Sequence, residues 1–198
     1  MRPLLFLVAF ALAACADAPA DPPPAPPADP VRSAPSAPVA DTARVVDADA
    51  PRSVYTDLDL DACETLRTYE ESGGVEFRCP GYDGVDLFVS EGDLRFDVDA
   101  GVPNGAFTTQ PAFNTLGARV EWRLVDGKPV AVIVRYRMDA GDGNPPPRDQ
   151  LAVITVGTEG APGCLVDWVP ADAAPSQNEA ARALADREAV GFECPPAG

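Results

Sequence analysis

Arg119-Val120-Glu121-Trp122-Arg123-Leu124-Val125-Asp126-Gly127-Lys128-Pro129-Val130-Ala131-Val132-Ile133-Val134 reads as a β-hairpin. Charged and apolar residues alternate over Arg119 to Leu124, the period of a strand with one wet face. The Asp126-Gly127 pair suits a two-residue type I′ turn, which needs positive φ at both central positions. The returning run from Val130 to Val134 is apolar on both faces, so its strand is expected near the middle of the sheet and covered on both sides. A two-residue turn also fixes the register. That register would point Arg119 and Arg123 to the face opposite Arg135 and Arg137.

Working outward, Asp93-Leu94-Arg95-Phe96-Asp97-Val98-Asp99 alternates strictly and predicts another strand with one face in water. Residues 75–78, 85–89, 151–156 and 164–169 add four more, and together these strands make an antiparallel meander. Ser176 and Glu179 stand at the spacing of a capping box ahead of the Ala-rich run 180–189. Gly191 offers a stop, and Leu184 is expected to be the main anchor of this helix. The fold class is therefore α+β: mainly one antiparallel sheet carrying one C-terminal helix.

Cys63, Cys79, Cys164 and Cys194 form an even set, which in an exported chain reads as two disulfides. Cys63 and Cys79 bracket the turn Ser72-Gly73-Gly74, and Cys164 and Cys194 bracket the helix, so these two pairings are favoured over the alternatives. A zinc site is disfavoured because the chain has no histidine and no CxxC pair.

The fifth cysteine has a different setting. Residues 4–14 are uncharged and follow Arg2, and Leu12-Ala13-Ala14-Cys15 closes that run in a pattern that resembles the lipobox of bacterial lipoproteins. The run is shorter than the ~20 apolar residues needed to span a bilayer. The resemblance implies that residues 1–14 are a cleaved signal peptide and that Cys15 becomes the lipidated first residue. Ala16 stands where an inner-membrane retention signal would have aspartate, which favours anchoring in the outer membrane, on its periplasmic face. After Cys15, residues 16–52 are almost entirely Ala, Pro, Asp, Val and Ser and read as a disordered tether. At ~3.1 Å per residue in polyproline II geometry, such a tether reaches at most about 115 Å.

Residues 53–198 have the size of one domain. They carry 25 acidic and 11 basic groups, a net charge of −14. That balance repels nucleic acid and anionic headgroups and attracts cationic partners, although solubility alone accounts for it as well. Asp57-Leu58-Asp59, Arg78-Cys79-Pro80-Gly81-Tyr82, Glu91-Gly92-Asp93-Leu94-Arg95 and the final helix with Phe192 and Cys194 resemble a group of uncharacterised exported proteobacterial proteins. The resemblance spans nearly the whole domain and implies a fold without implying an activity.

Four sets of residues are candidates for a site. Asp57, Asp59 and Asp61 alternate as calcium ligands do, but Ala62 and Thr68 stand where an EF-hand loop needs Gly and Glu. A solvated strand face is the plainer reading. Asp139, Asp142 and Asn144 lie in a Gly/Pro-rich turn, where a surface loop is the plainer reading than a cation site. Arg95, Arg119, Arg123, Arg135 and Arg137 could form a patch for carboxylates or sugars, against the plainer role of pairing with Asp97, Asp99 and Glu121. The loop 101–117 carries Phe107 and Phe113 and is either a binding loop or a seal on one end of the core.

Catalysis has little to draw on. Without histidine there is no Ser-His or Cys-His couple, no phosphate-cradling glycine loop is present, and only paired carboxylates remain, with no particular pair marked. No enzyme activity, metal or cofactor is expected. The leading expectation is a lipid-anchored binding or scaffold protein of the cell envelope, with a protein or cell-wall partner. The alternative is an inhibitor of a basic envelope hydrolase such as lysozyme.

Overall fold

In the computed structural model, which describes residues 50–139 and 148–196, the hairpin forms the middle of a five-stranded sheet. The strands in chain order are β1 (Arg52–Asp57), β2 (Glu64–Tyr69), β3 (Gly74–Cys79), β4 (Leu87–Gly92), β5 (Arg95–Ala100), β6 (Asn114–Val125), β7 (Lys128–Met138), β8 (Gln150–Thr155) and β9 (Leu165–Val169). Helix α1 (Gln177–Glu188) follows them. One sheet has the order β1-β6-β7-β8-β9 and the other β2-β3-β4-β5, and each neighbouring pair is antiparallel. The α+β class, the antiparallel character and the single C-terminal helix are as the sequence predicts. The strands, however, divide over two sheets instead of forming one meander, because the chain crosses between sheets after β5 and β1 takes the free edge of β6. Cys15, residues 16–49, Asp142 and Asn144 lie outside the described residues.

β7 has the central place that its apolar run predicts. Val132, Val134 and Tyr136 face one core with Val120, Trp122 and Leu124 of β6 and with Leu87, Val89 and Val98 of the second sheet. Ala131 and Ile133 face the opposite way, into a smaller core with Leu151, Val153 and the helix. The result is three layers, sheet on sheet with a helix outside, as expected when a strand has two apolar faces to cover.

The helix is capped as its sequence indicates, with the Ser176 hydroxyl accepting from the Glu179 N–H at 3.3 Å. Its buried stripe is Ala181, Ala185 and Ala189, whereas Leu184 is only half-buried. The expected anchor is thus replaced by small side chains, which let the helix axis approach the sheet closely.

The register of the central hairpin differs from the expected one. Asp126 and Gly127 adopt φ of 50° and 76°, and Val125 pairs with Lys128, as a type I′ turn requires. Two residues further on, Leu124 pairs with Pro129 but Arg123 pairs with Ala131, so Val130 is an extra residue on β7. Such a bulge reverses which side chains share a face. Arg119, Glu121 and Arg123 therefore lie on the helix side together with Ile133 and Arg135, not opposite Arg135.

That placement builds a clamp. Arg123 Nε and Nη2 donate to the two carboxylate oxygens of Asp186 on the helix, at 2.9 and 2.6 Å. Arg182 of the helix donates Nε and Nη2 to Glu121 at 2.5 and 3.1 Å, and the Ser53 hydroxyl lies between Arg123 and Glu121. Burial opposes the charge on Glu121, but the bonds from Arg182 and Ser53 outweigh it and hold the carboxyl below its ordinary value.

The disulfides join Cys63 to Cys79 and Cys164 to Cys194, with Cα atoms 4.5 and 5.8 Å apart, the favoured pairing. Each closes a loop, 16 and 30 residues in sequence separation, and each constrains the unfolded chain by roughly 3 kcal/mol.

Candidate functional site: a roofed groove on the four-stranded sheet

The inner face of the second sheet is core, and its outer face is turned away from the five-stranded sheet. Pairing of β3, β4 and β5 sets Arg78, Phe88 and Asp99 in one cross-strand row and Glu76, Ser90 and Asp97 in the next. Gly74 and Gly92 continue the floor toward Arg95. Over this floor lies a groove with a volume of about 730 Å³, walled by Leu66 and Tyr69 on one side and by Pro103, Ala106 and Phe107 on the other. Its size is that of a small-ligand site or of a seat for a few side chains.

The second wall comes from residues 101–113, and the sequence fixes this segment at both ends. Gly101 has φ 73°, and a Cβ there would stand 2.2 Å from the Gly157 carbonyl oxygen, so only glycine lets the two backbones approach. At the other end Asn114, 2% exposed, accepts from the Phe96 N–H at 3.0 Å and donates to the Ala112 carbonyl at 2.9 Å. Between these ends Asn104 donates to the Gly163 carbonyl at 2.8 Å and accepts from the Ala106 N–H at 2.6 Å. The loop is thereby held over the groove by bonds between two asparagine side chains and main-chain groups.

Asp97 and Asp99 lie under that loop. The strict alternation of β5 places them on a face expected to be wet, yet they are only 7% and 8% exposed. Burial, then the neighbouring charge of Asp99, pushes the Asp97 carboxyl up to about 7, against main-chain N–H donors at Thr108 and Val98. Burial likewise pushes Asp99 up to about 6, against the main-chain N–H of Asn104. Tyr136, buried beneath them, is raised above its ordinary value by burial and by both charges. Neither aspartate has an arginine or lysine partner among the described residues. The expected cross-strand pairing of these acids with arginines is therefore not made.

Of the two aromatic candidates, Phe107 stands on the groove wall with half of its surface accessible, and Phe113 is 42% exposed and outside the groove. Neither seals the core. Arg95 pairs with Asp93 at the groove margin, while its Nε is buried without a hydrogen-bond partner. Arg123 belongs to the helix clamp. Arg119 lies over the Tyr55 ring at 4.8 Å and shares a shallow recess with Arg135 on the helix side. Arg135 itself bonds Gln177 at 2.9 Å, and Arg137 is exposed. The arginines thus form no single patch.

Asp59 accepts from the Asp61 N–H at 3.1 Å and caps the 3-10 turn Leu60–Ala62, a structural role. Among the described residues no group of three or more acidic or cysteine side chains is placed to hold a metal ion. No helix among them is long and apolar enough to cross a membrane. No family model, curated protein or solved structure matches the chain significantly. The functional reading consequently rests on the groove itself.

Proposed function

We propose that this chain is a lipid-anchored binding protein of the bacterial cell envelope and that the groove under residues 101–113 is where its partner sits. The observation that carries the reading is the union, in one recess, of accessible aromatic and aliphatic walls with two buried carboxylates that lack a cation of their own. Exposed apolar side chains gathered around a concavity mark interaction sites. Leu66, Tyr69 and Phe107 are 44%, 39% and 50% exposed at this one place. The lipobox-like Leu12-Ala13-Ala14-Cys15 and the Pro-rich tether supply the address, and two disulfides suit an oxidising compartment. Asp97 and Asp99 hold the loop through main-chain amides and are read as binding groups, with no reaction assigned to them.

The test is photocrosslinking in living cells, with a photoreactive residue at Phe107 and, as control, at Val190, which is 59% exposed after the helix. A saturable adduct from position 107 alone is the expected result. Equal or absent adducts at both positions would remove the groove as the binding surface.

The acidity of the groove also favours the second reading, an inhibitor of a basic envelope hydrolase. Dose-dependent inhibition of lysozyme by the purified chain, lost in Asp97→Asn, would select it. A flat response would leave the first reading alone.

A further inference from the structure

Five acidic residues, Glu76, Glu91, Asp93, Asp97 and Asp99, are among those lining the groove, against one basic residue, Arg95, which already pairs with Asp93. Glu91, two residues after core-facing Val89, contributes its backbone rather than its carboxylate to the outer face. Glu76 takes the Tyr69 hydroxyl and Glu91 takes the Leu94 N–H. Asp97 and Asp99 have main-chain donors only. A buried carboxylate answered only by amides still lacks most of what water gave it, and a cation next to it restores the difference. Beside the pair stands Phe88, in register with Asp99, and Phe107 lines the same groove from the loop, near Gly92. Aromatic faces attract the same kind of group that carboxylates do.

We infer that the occupant of the groove is a basic side chain, an arginine or lysine flanked by apolar residues on a partner protein, inserted over Phe88 toward Asp97 and Asp99. This rests on the proposed role of the groove as a binding surface and adds to it the chemistry of the partner. A protein segment is the occupant that fits, since the groove wall at Leu66 and Tyr69 is itself 44% and 39% exposed and leaves an open apolar edge, and interfaces combine a buried anchor with such a rim. The net charge of −14 over residues 53–198 steers the same kind of partner from a distance.

The test is calorimetric titration of the full chain, purified in detergent, with acetyl-Leu-Arg-Leu-amide and with the matching peptide that has glutamine in place of arginine. The arginine peptide is expected to bind about tenfold more tightly, the worth of one charge-assisted hydrogen bond. The double variant Asp97→Asn/Asp99→Asn keeps side-chain shape and a carbonyl acceptor for the loop amides, and it should abolish that ratio while retaining the weak binding of the glutamine peptide. Equal affinity for the two peptides, no binding of the arginine peptide, or an unchanged ratio in the double variant overturns the inference. Arginine amide without its leucines binding as well as the tripeptide also overturns it, in favour of a small amine.

Crosslinking from position 107 separates this failure from that of the broader reading. An adduct there without arginine preference leaves a binding protein whose partner is not cationic, and no adduct removes both.

Discussion

The two outward faces of this domain treat buried charge in opposite ways. On the helix side, Glu121 and Arg123 are 7% and 6% exposed, and each meets a full partner, Arg182 and Asp186 respectively, with Ser53 between them. On the groove side, Asp97 and Asp99 are equally buried and meet only amides. Burying a charge is costly, and a bidentate partner returns much of that cost. The helix side thus uses its charges to fasten α1 to the sheet. The groove side keeps two carboxyl groups without a cation, which tie down only the loop above them, and such groups mark functional surfaces more often than structural ones.

The largest effect expected from this contrast is in the pH dependence of stability. The carboxyl of Asp97 moves from an ordinary value of 3.8 to about 7 on folding. Between those values the folded chain holds a proton that the unfolded chain has released. The contribution of this group is therefore full below about pH 4 and is lost as pH rises through about 7. In isolation the change amounts to about 4 kcal/mol. Asp97→Asn does not titrate, so urea unfolding should show the variant gaining on the parent by about that amount between pH 4 and pH 8. A gap that stays constant with pH would mean that a cationic partner had been overlooked, and the contrast between the two faces would collapse.

Truncating the helix clamp tests the other side. Arg123→Ala removes the guanidinium that ties β6 to the helix and strands Asp186, while Ser53 keeps its bond to Glu121. Because Asp186 keeps some access to water, at 28% side-chain exposure, the cost should fall at the low end for a broken buried pair, about 3 kcal/mol. It should appear as a lower urea midpoint together with weaker amide protection in α1. A loss under about 1 kcal/mol would put the clamp in the class of surface pairs.

How much of this could be read beforehand depends on the kind of signal each residue carries. The hairpin was legible because Asp126-Gly127 and the apolar run of β7 are local features. The bulge at Val130 has Pro129 as its sequence mark, since proline within a strand is confined to edges, first residues and bulges, but a two-residue turn alone does not reveal it. β2 left no trace, since all six of its residues are exposed and show no periodicity. The alternation of β5 revealed which residues share a face. It did not reveal that the loop after it would fold back and cover that face, which is why Asp97 and Asp99 read as solvated. Phe107 was recognisable as a candidate from its place in a long loop, but whether it sealed the core or lined a groove depended on contacts with β3 and β4, more than 14 residues away in sequence.

The smallest effect concerns backbone strain at the rim of the groove. Both sheets contain a two-residue hairpin with positive φ at both positions. The five-stranded sheet uses Asp126-Gly127, whereas the four-stranded sheet uses Asp93-Leu94, with φ of 53° and 58°. A side chain with a Cβ in that region costs about 1 kcal/mol relative to glycine, and Leu94 is 64% exposed, so little packing offsets it. Leu94→Gly should therefore raise stability by about 1 kcal/mol, less the extra freedom glycine gives the unfolded chain. If the urea midpoint rises while the arginine peptide binds as before, the strain belongs to the turn alone. If the midpoint rises and binding weakens, Leu94 extends the apolar rim of the groove, and the chain tolerates a strained leucine where the other hairpin has glycine because its partner rests on it.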